Sequence, residues 1–154
     1  MRSLTAGLPH FQYCPTSPVE SMTQLDAFGS TVFLMVETVS AIDNIDEIAS
    51  VPGVDVLLIG ANDLSLELGI QGEWDNSIFK DALEKVAEAC KMAGKVMGLA
   101  GLYNRPDICQ DAIERLGARY ILGNLDIGLI AQAAKANVAQ LKTLQRVTPT
   151  AAVT

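Results

Sequence analysis

Histidine is nearly missing from this chain: among 154 residues there is one, His10. Basic residues are also few, 11 Lys and Arg against 18 Asp and Glu, which leaves a formal charge of −7 and an isoelectric point near 4.5. That balance excludes a nucleic-acid groove or a coat for anionic membrane, since both need clustered Lys and Arg. The three cysteines, Cys14, Cys90 and Cys109, are an odd number with no CxxC spacing, so neither a disulfide framework nor a zinc cluster is suggested and ordinary thiols in a reducing compartment are expected. No run approaches the eighteen or so continuous apolar residues of a membrane span, and the N-terminus lacks the apolar core of a secretion signal, so the expected location is cytoplasmic. Nor is there a GxGxxG, a GxxxxGK[ST] or a GxSxG, which removes the dinucleotide fold, the P-loop and the nucleophile elbow.

What is present is apolar and regular. Hydrophobic residues make up 49% of the chain, enough for one compact domain with a core of its own. Residues 1–30 carry Gly7, Pro9, Pro15 and Pro18 among Ser and Thr, and read as an irregular segment around one short helix near Val19 to Phe28. From Thr31 the chain alternates. A continuous apolar strand over 31–37, of the kind covered on both faces in a parallel sheet, precedes "SAIDNIDEIAS", a helix that Ser40 can cap with Ile42, Ile45 and Ile48 on one face. A second strand follows from Val54 to Ile59, then a short helical turn "NDLSLELG". The longest helix starts at Asp75 or Asn76, carries Ile78, Phe79, Leu83, Val86 and Cys90 as its stripe, and closes at Gly94.

A third strand, "KVMGLAG", leads to a helix after Pro106 with Ile108, Ala112, Ile113 and Leu116 inward, stopped by Gly117. "RYILGNLD" supplies a fourth strand, and a last helix runs from Asp126 to about Gln145, apolar along Ile127, Ile130, Ala134, Val138 and Leu141. Residues 31–146 thus form the folded domain and 147–154 a frayed tail. Four βα units in succession predict an α/β fold with a parallel sheet and crossover helices. A full (β/α) barrel takes about 250 residues, so the expected architecture is half of a TIM barrel.

Two of these strands deliver one acid each just past their C-terminal ends, Glu37 after "VFLMV" and Asp63 after "VLLIGAN". Barrel active sites are built at those ends, where the βα loops converge. Two carboxylates from adjacent strands, with water in the remaining positions, suit a hard octahedral cation such as Mg2+ or Mn2+. Such an ion can bind the carboxylate and keto oxygens of a 2-oxo acid and stabilise its enolate. Backbone N–H groups of Asn62 and Asp63 can help to hold the substrate carboxylate. The plain alternative is that each acid caps the helix that follows.

Residues 36–69, "VETVSAIDNIDEIASVPGVDVLLIGANDLSLELG", resemble the core signature of the HpcH/HpaI metal-dependent aldolases, a family of phosphoenolpyruvate/pyruvate-type barrels related to macrophomate synthase and the citrate lyase β-type barrels. Matching segments are E-T at the strand end, N-x-D-E-I, V-x-G-V-D, and G-x-x-D-L-S followed by L-G, in order and at suitable spacing. The resemblance implies that Glu37 and Asp63 hold a divalent metal, that the substrate is a pyruvate-like 2-oxo acid or its aldol adduct, and that the reaction makes or breaks a C–C bond. It also implies departures. The family's catalytic His and substrate-binding Arg belong to earlier strands, "MRSL" resembles a segment well inside the family's barrel, and Met35 stands where the family has Gln. A truncated form is therefore expected, with the catalytic residues unknown. It would be a lyase completed by self-association or by pairing with a full-length homologue, an impaired paralogue serving as an assembly module, or a piece of a longer protein that is itself a full barrel.

Within the chain, His10 and Arg2 or Arg105 are the available substitutes for those groups, and a loop or surface role is expected for each. Trp74 is expected to be a packing anchor rather than a lid, Tyr103 an ordinary loop tyrosine rather than a pocket residue, and Asp126 the start of the last helix.

Overall fold

The computed structural model describes residues 14 and 16–144; Arg2, His10 and the tail from 147 lie outside the described residues. Helix α1 (Pro18–Gln24) opens with Pro18 at its first position and the Ser17 hydroxyl accepting from the Glu20 N–H, and runs into a wider π turn over Leu25–Gly29. Next come β1 (Phe33–Val36), α2 (Val39–Asp43), α3 (Ile45–Ser50), β2 (Val56–Gly60), α4 (Ala61–Glu67), α5 (Ser77–Ala93), β3 (Val96–Ala100), α6 (Pro106–Glu114), β4 (Tyr120–Ile121) and α7 (Asp126–Lys142). All three strand pairings are parallel and the strand order is β1-β2-β3-β4, as in consecutive staves of a barrel.

The two faces of this sheet differ because side chains alternate along a strand. Val36, Leu57, Ile59, Met97 and Leu99 point outward and pack with Ile45, Phe79, Leu83 and Val86 of the covering helices into the core. The register puts Met35, Leu58, Gly98 and Tyr120 in one row on the opposite face. Three strand steps of about 4.8 Å separate the β1 and β4 backbones, yet the Phe33 and Tyr120 ring centroids are 4.9 Å apart. The sheet is therefore strongly curled toward that face. Gly98 permits the approach: a Cβ there would lie 3.0 Å from Leu58 Cδ1 and 3.1 Å from Tyr120 Cδ1.

Several sequence expectations need correction. Burial on both faces holds for β2, whose five residues are all buried, but not for β1, where Phe33 and Met35 on the concave side are 41% and 52% exposed because β1 is an edge strand. The helix expected after β1 is two, broken at Asn44, and its cap is Thr38 rather than Ser40: the Thr38 hydroxyl accepts from Ala41 N–H at 3.1 Å. Asn76 caps α5 and Gly94 closes it at φ 66°, as its sequence suggests, but Ile78 is exposed, because Phe79, one position on, takes the inward place in that turn. Ile113 of α6 also faces outward, one position off the buried Ile108 and Ala112.

The fourth strand is short, two residues, and α7 buries no residue at all. Ile127, Ile130, Ala134, Val138 and Leu141 do fall along one face of the helix, but among the described residues no surface covers that face and its large apolar side chains are exposed.

Candidate functional site

At the C-terminal ends of the strands the curl of the sheet forms a cavity of about 200 Å³. It is lined by the polar Glu37, Asn62 and Asp63, by the apolar Met35, Leu122 and Leu125, and by Tyr103. The two acids picked out in the sequence are thus brought together, one from the β1 end and one from the first turn of α4.

Glu37 owes its place to Gly60. It directly follows Val36, which pairs with Ile59, so its side chain lies across the Gly60 backbone. A Cβ on residue 60 would be 3.1 Å from Glu37 Oε2 and 3.3 Å from Met35 Sδ, so only glycine leaves both side chains where they are. The alternative reading, that these acids are helix caps, does not describe the structure. Thr38 caps α2, and α4 starts at Gly60 with no side-chain cap. Ser65, fully buried, ties the base of α4 down: its hydroxyl donates to Asn62 O at 2.9 Å and accepts from Gly72 N–H at 3.4 Å.

On the β3 side, Gly101 turns the chain at φ 90°, in the left-handed region that favours glycine. A Cβ there would meet the Asn62 side-chain nitrogen at 3.0 Å and its backbone nitrogen at 3.3 Å, so the glycine also lets the loop after β3 close on α4. Leu102 then inserts into the core and Arg105 N–H bonds back to Leu102 O at 3.0 Å. The Arg105 guanidinium is held by Asp107 at 2.6 Å and by Asp75 of the preceding loop at 3.0 Å. The Arg105 hydrogen bond holds the Asp107 carboxyl well below the usual range, at about 2, against the opposing effect of desolvation. Arg105 is therefore a latch between loops and not a clamp for substrate.

The other singled-out side chains fall into place. Trp74 is a packing anchor, edge-on to Phe79 with ring centroids 5.4 Å apart. Asp126 starts α7, accepting from Ile127 N–H, and does not line the cavity. Tyr103, expected to be a plain loop residue, does line it. Cys90 is buried, which pushes its thiol up to about 11, and burial also raises Cys109. A second cleft, of about 240 Å³, lies between α5 and α6, but its charged walls are paired with one another, Lys80 with Asp75 and Arg115 with Asp111.

Whether a divalent cation fits can be judged from the donors. Among the described residues no third His, Cys, Asp or Glu joins Glu37 and Asp63, so the protein offers two carboxylates. That all-oxygen set, on one wall of an open cavity cleared by Gly60, suits a hard cation that keeps several waters.

Residues 17–120 match the family model of the HpcH/HpaI aldolase/citrate lyases. Over 109 residues the chain is 47% identical to a 4-hydroxy-4-methyl-2-oxoglutarate aldolase of Chaetomium globosum, a match that takes in 71% of this chain and 40% of that protein. In three dimensions it is similar to the HpcH/HpaI aldolase of Desulfitobacterium hafniense, with a TM-score of 0.68 and 25% identity over 90% of this chain and 52% of the other. It also shares its fold with macrophomate synthase, at a TM-score of 0.64 and 23% identity over 83% and 43% of the two chains. The chain thus spans about two fifths to one half of the length of these barrel proteins.

Proposed function

The chain belongs to the HpcH/HpaI aldolase/citrate lyase family, and from that premise we propose that it is a carbon–carbon lyase site that uses a divalent metal, Mg2+ or Mn2+, to act on a pyruvate-like 2-oxo acid or its aldol adduct. The observation that carries this reading is the convergence of Glu37 and Asp63, from the ends of two adjacent strands, on a single cavity. Glu37 and Asp63 hold the ion. When bound, it supplies positive charge to an otherwise acidic pocket and polarises the 2-oxo group.

The chain's own groups do the positioning. Backbone N–H groups in the first turn of α4, at Asn62 and Asp63, have no partner further back in the helix and are free to donate to the substrate carboxylate. Asn62, whose backbone carbonyl accepts from Ser65 and whose side chain lies against Gly101, adds an amide at the same edge. Cleavage of an aldol adduct moves the electrons of the breaking C–C bond toward the 2-oxo group and needs a base for the departing hydroxyl proton. A general base is worth about 10²- to 10⁴-fold, and none is assigned among the described residues, so oxaloacetate decarboxylation, which needs an electron sink but no such base, is the activity that this set of residues supports best.

Calorimetric titration of Mn2+ with oxalate, a mimic of the pyruvate enolate, tests the reading. Binding by the parent chain that both Glu37→Gln and Asp63→Asn abolish is the expected result. A folded parent that binds nothing would leave the two acids without a metal role.

A second reading concerns assembly. Val32, Phe33 and Met35 leave the β1 edge and the concave face open to solvent, and an open apolar edge favours pairing with another chain. The partner would be a second copy of this chain or a full-length homologue that completes the barrel. In that form the chain is an assembly module whether or not it turns over substrate.

A further inference from the structure

Three of the side chains that line the cavity can carry a proton: Glu37, Asp63 and Tyr103. Among the described residues, none of the three makes a side-chain hydrogen bond or ion pair to another part of the chain. Elsewhere such groups are spent on the fold: Asp55 accepts from Val32 N–H, Asp75 and Asp107 hold Arg105, and the Ser65 hydroxyl bonds within α4. Polar groups that converge on one cavity without partners are available to a ligand.

Tyr103 is held there from both sides. Upstream, a Cβ on residue 101 would lie only 3.0 Å from the Asn62 amide nitrogen, so the loop that carries Tyr103 lies against the turn that carries Asp63. Leu102 is anchored in the core between them. Downstream, Arg105 N–H closes the turn onto Leu102 O, and the guanidinium is latched to Asp75 and Asp107. Because β3 pairs directly with β2, Tyr103 and Asp63 also follow neighbouring strands.

On the reading of this cavity as a metal-dependent 2-oxo acid site, Glu37 and Asp63 are committed to the cation, and the phenol of Tyr103 is the remaining proton carrier. We propose that Tyr103 is a catalytic residue, the acid–base group for C3, the carbon next to the 2-oxo group. Once cleavage or decarboxylation has left an enolate, the Tyr103 O–H bond breaks and the enolate electron pair takes that proton to form a C3–H bond. The 2-oxo C=O re-forms, and the phenolate recovers a proton from water. In the reverse direction the phenolate removes a C3 proton from pyruvate, and the pair of that C–H bond returns to the enolate. This proton is separate from the hydroxyl proton of an aldol adduct, for which no base is assigned.

The test follows the methyl protons of pyruvate by proton NMR in D2O, with the full chain in saturating Mg2+, beside calorimetric binding of oxalate, which has no C–H proton to exchange. The parent is expected to exchange the methyl protons for deuterium. Tyr103→Phe, which keeps the ring, should exchange them about 10²- to 10⁴-fold more slowly while binding oxalate within about twofold of the parent, as removal of a group used only in proton transfer requires. Circular dichroism checks the folding of each variant. Exchange by Tyr103→Phe at the parent's rate, or a parent that binds oxalate without exchanging pyruvate, would overturn the assignment and leave the metal site standing. Oxalate binding lost together with exchange in Tyr103→Phe would make Tyr103 a structural wall and overturn it as well. A parent that binds no oxalate, or binds it no better than Glu37→Gln does, would instead defeat the metal-site reading and this inference with it.

Discussion

Glu37 shows how a single position gains its meaning from a neighbour. A carboxylate after five apolar residues is visible in "VFLMVET", but what aims it is the missing side chain at Gly60, 23 residues later in sequence and beside it across the sheet. Gly60 has an ordinary φ of −85°, so an alanine there meets no backbone strain, only Glu37 Oε2 at 3.1 Å and Met35 Sδ at 3.3 Å. Gly60→Ala should therefore leave the fold in place and push the carboxylate aside, lowering Mn2+ affinity by on the order of tenfold, as changes in the groups that orient a ligand do. A titration in which Gly60→Ala binds as the parent does would show that Glu37 keeps its position without the glycine. The place of Tyr103 is undecided in the sequence for the same kind of reason: nothing in "GLYNRP" distinguishes a loop tyrosine from a cavity wall until Gly101 and Arg105 are seen to tie the loop down.

The loop after β3 carries its own pH signature. Arg105 holds the Asp107 carboxyl at about 2, below its ordinary value, so the latch is fully formed above about pH 4 and its contribution is lost as pH falls through that ordinary value toward 2. Carbon-detected NMR should find Asp107 titrating near 2 in the parent and near the ordinary carboxylate range in Arg105→Gln. An Asp107 midpoint near 4 in the parent would mean that the latch does not persist in solution. Among the helices, α5 was legible because its stripe, its Asn76 cap and the αL Gly94 all agree. α7 was not: its apolar residues predict burial, but burial depends on whether a neighbouring surface exists to receive them, and none of its residues is buried.

Four parallel strands curled over one face form an arc, and an arc leaves edges. The concave side holds Phe33 and Met35, exposed and apolar, beside the β1 edge. Self-pairing or pairing with a longer homologue would cover them, and light scattering on the purified chain is expected to give a mass at least twice that of the 16.4 kDa monomer. A monodisperse monomer at micromolar concentration would remove the assembly reading. Of the described residues, no helix is long and apolar enough to cross a membrane.

Strand and helix periodicity made the α/β half-barrel legible, because that signal is local and needs only the alternation of polar and apolar residues along a few turns or a strand, while the resemblance of the E-T and G-x-x-D-L-S segments pointed to the family and made Glu37 and Asp63 the candidates. Only the tertiary structure decided which faces are covered, that Thr38 and not Glu37 is the cap, that Arg105 is a latch, and that Tyr103 joins the cavity. Those outcomes depend on which distant segments the curl of the sheet brings within a few ångströms, and sequence spacing does not encode that distance.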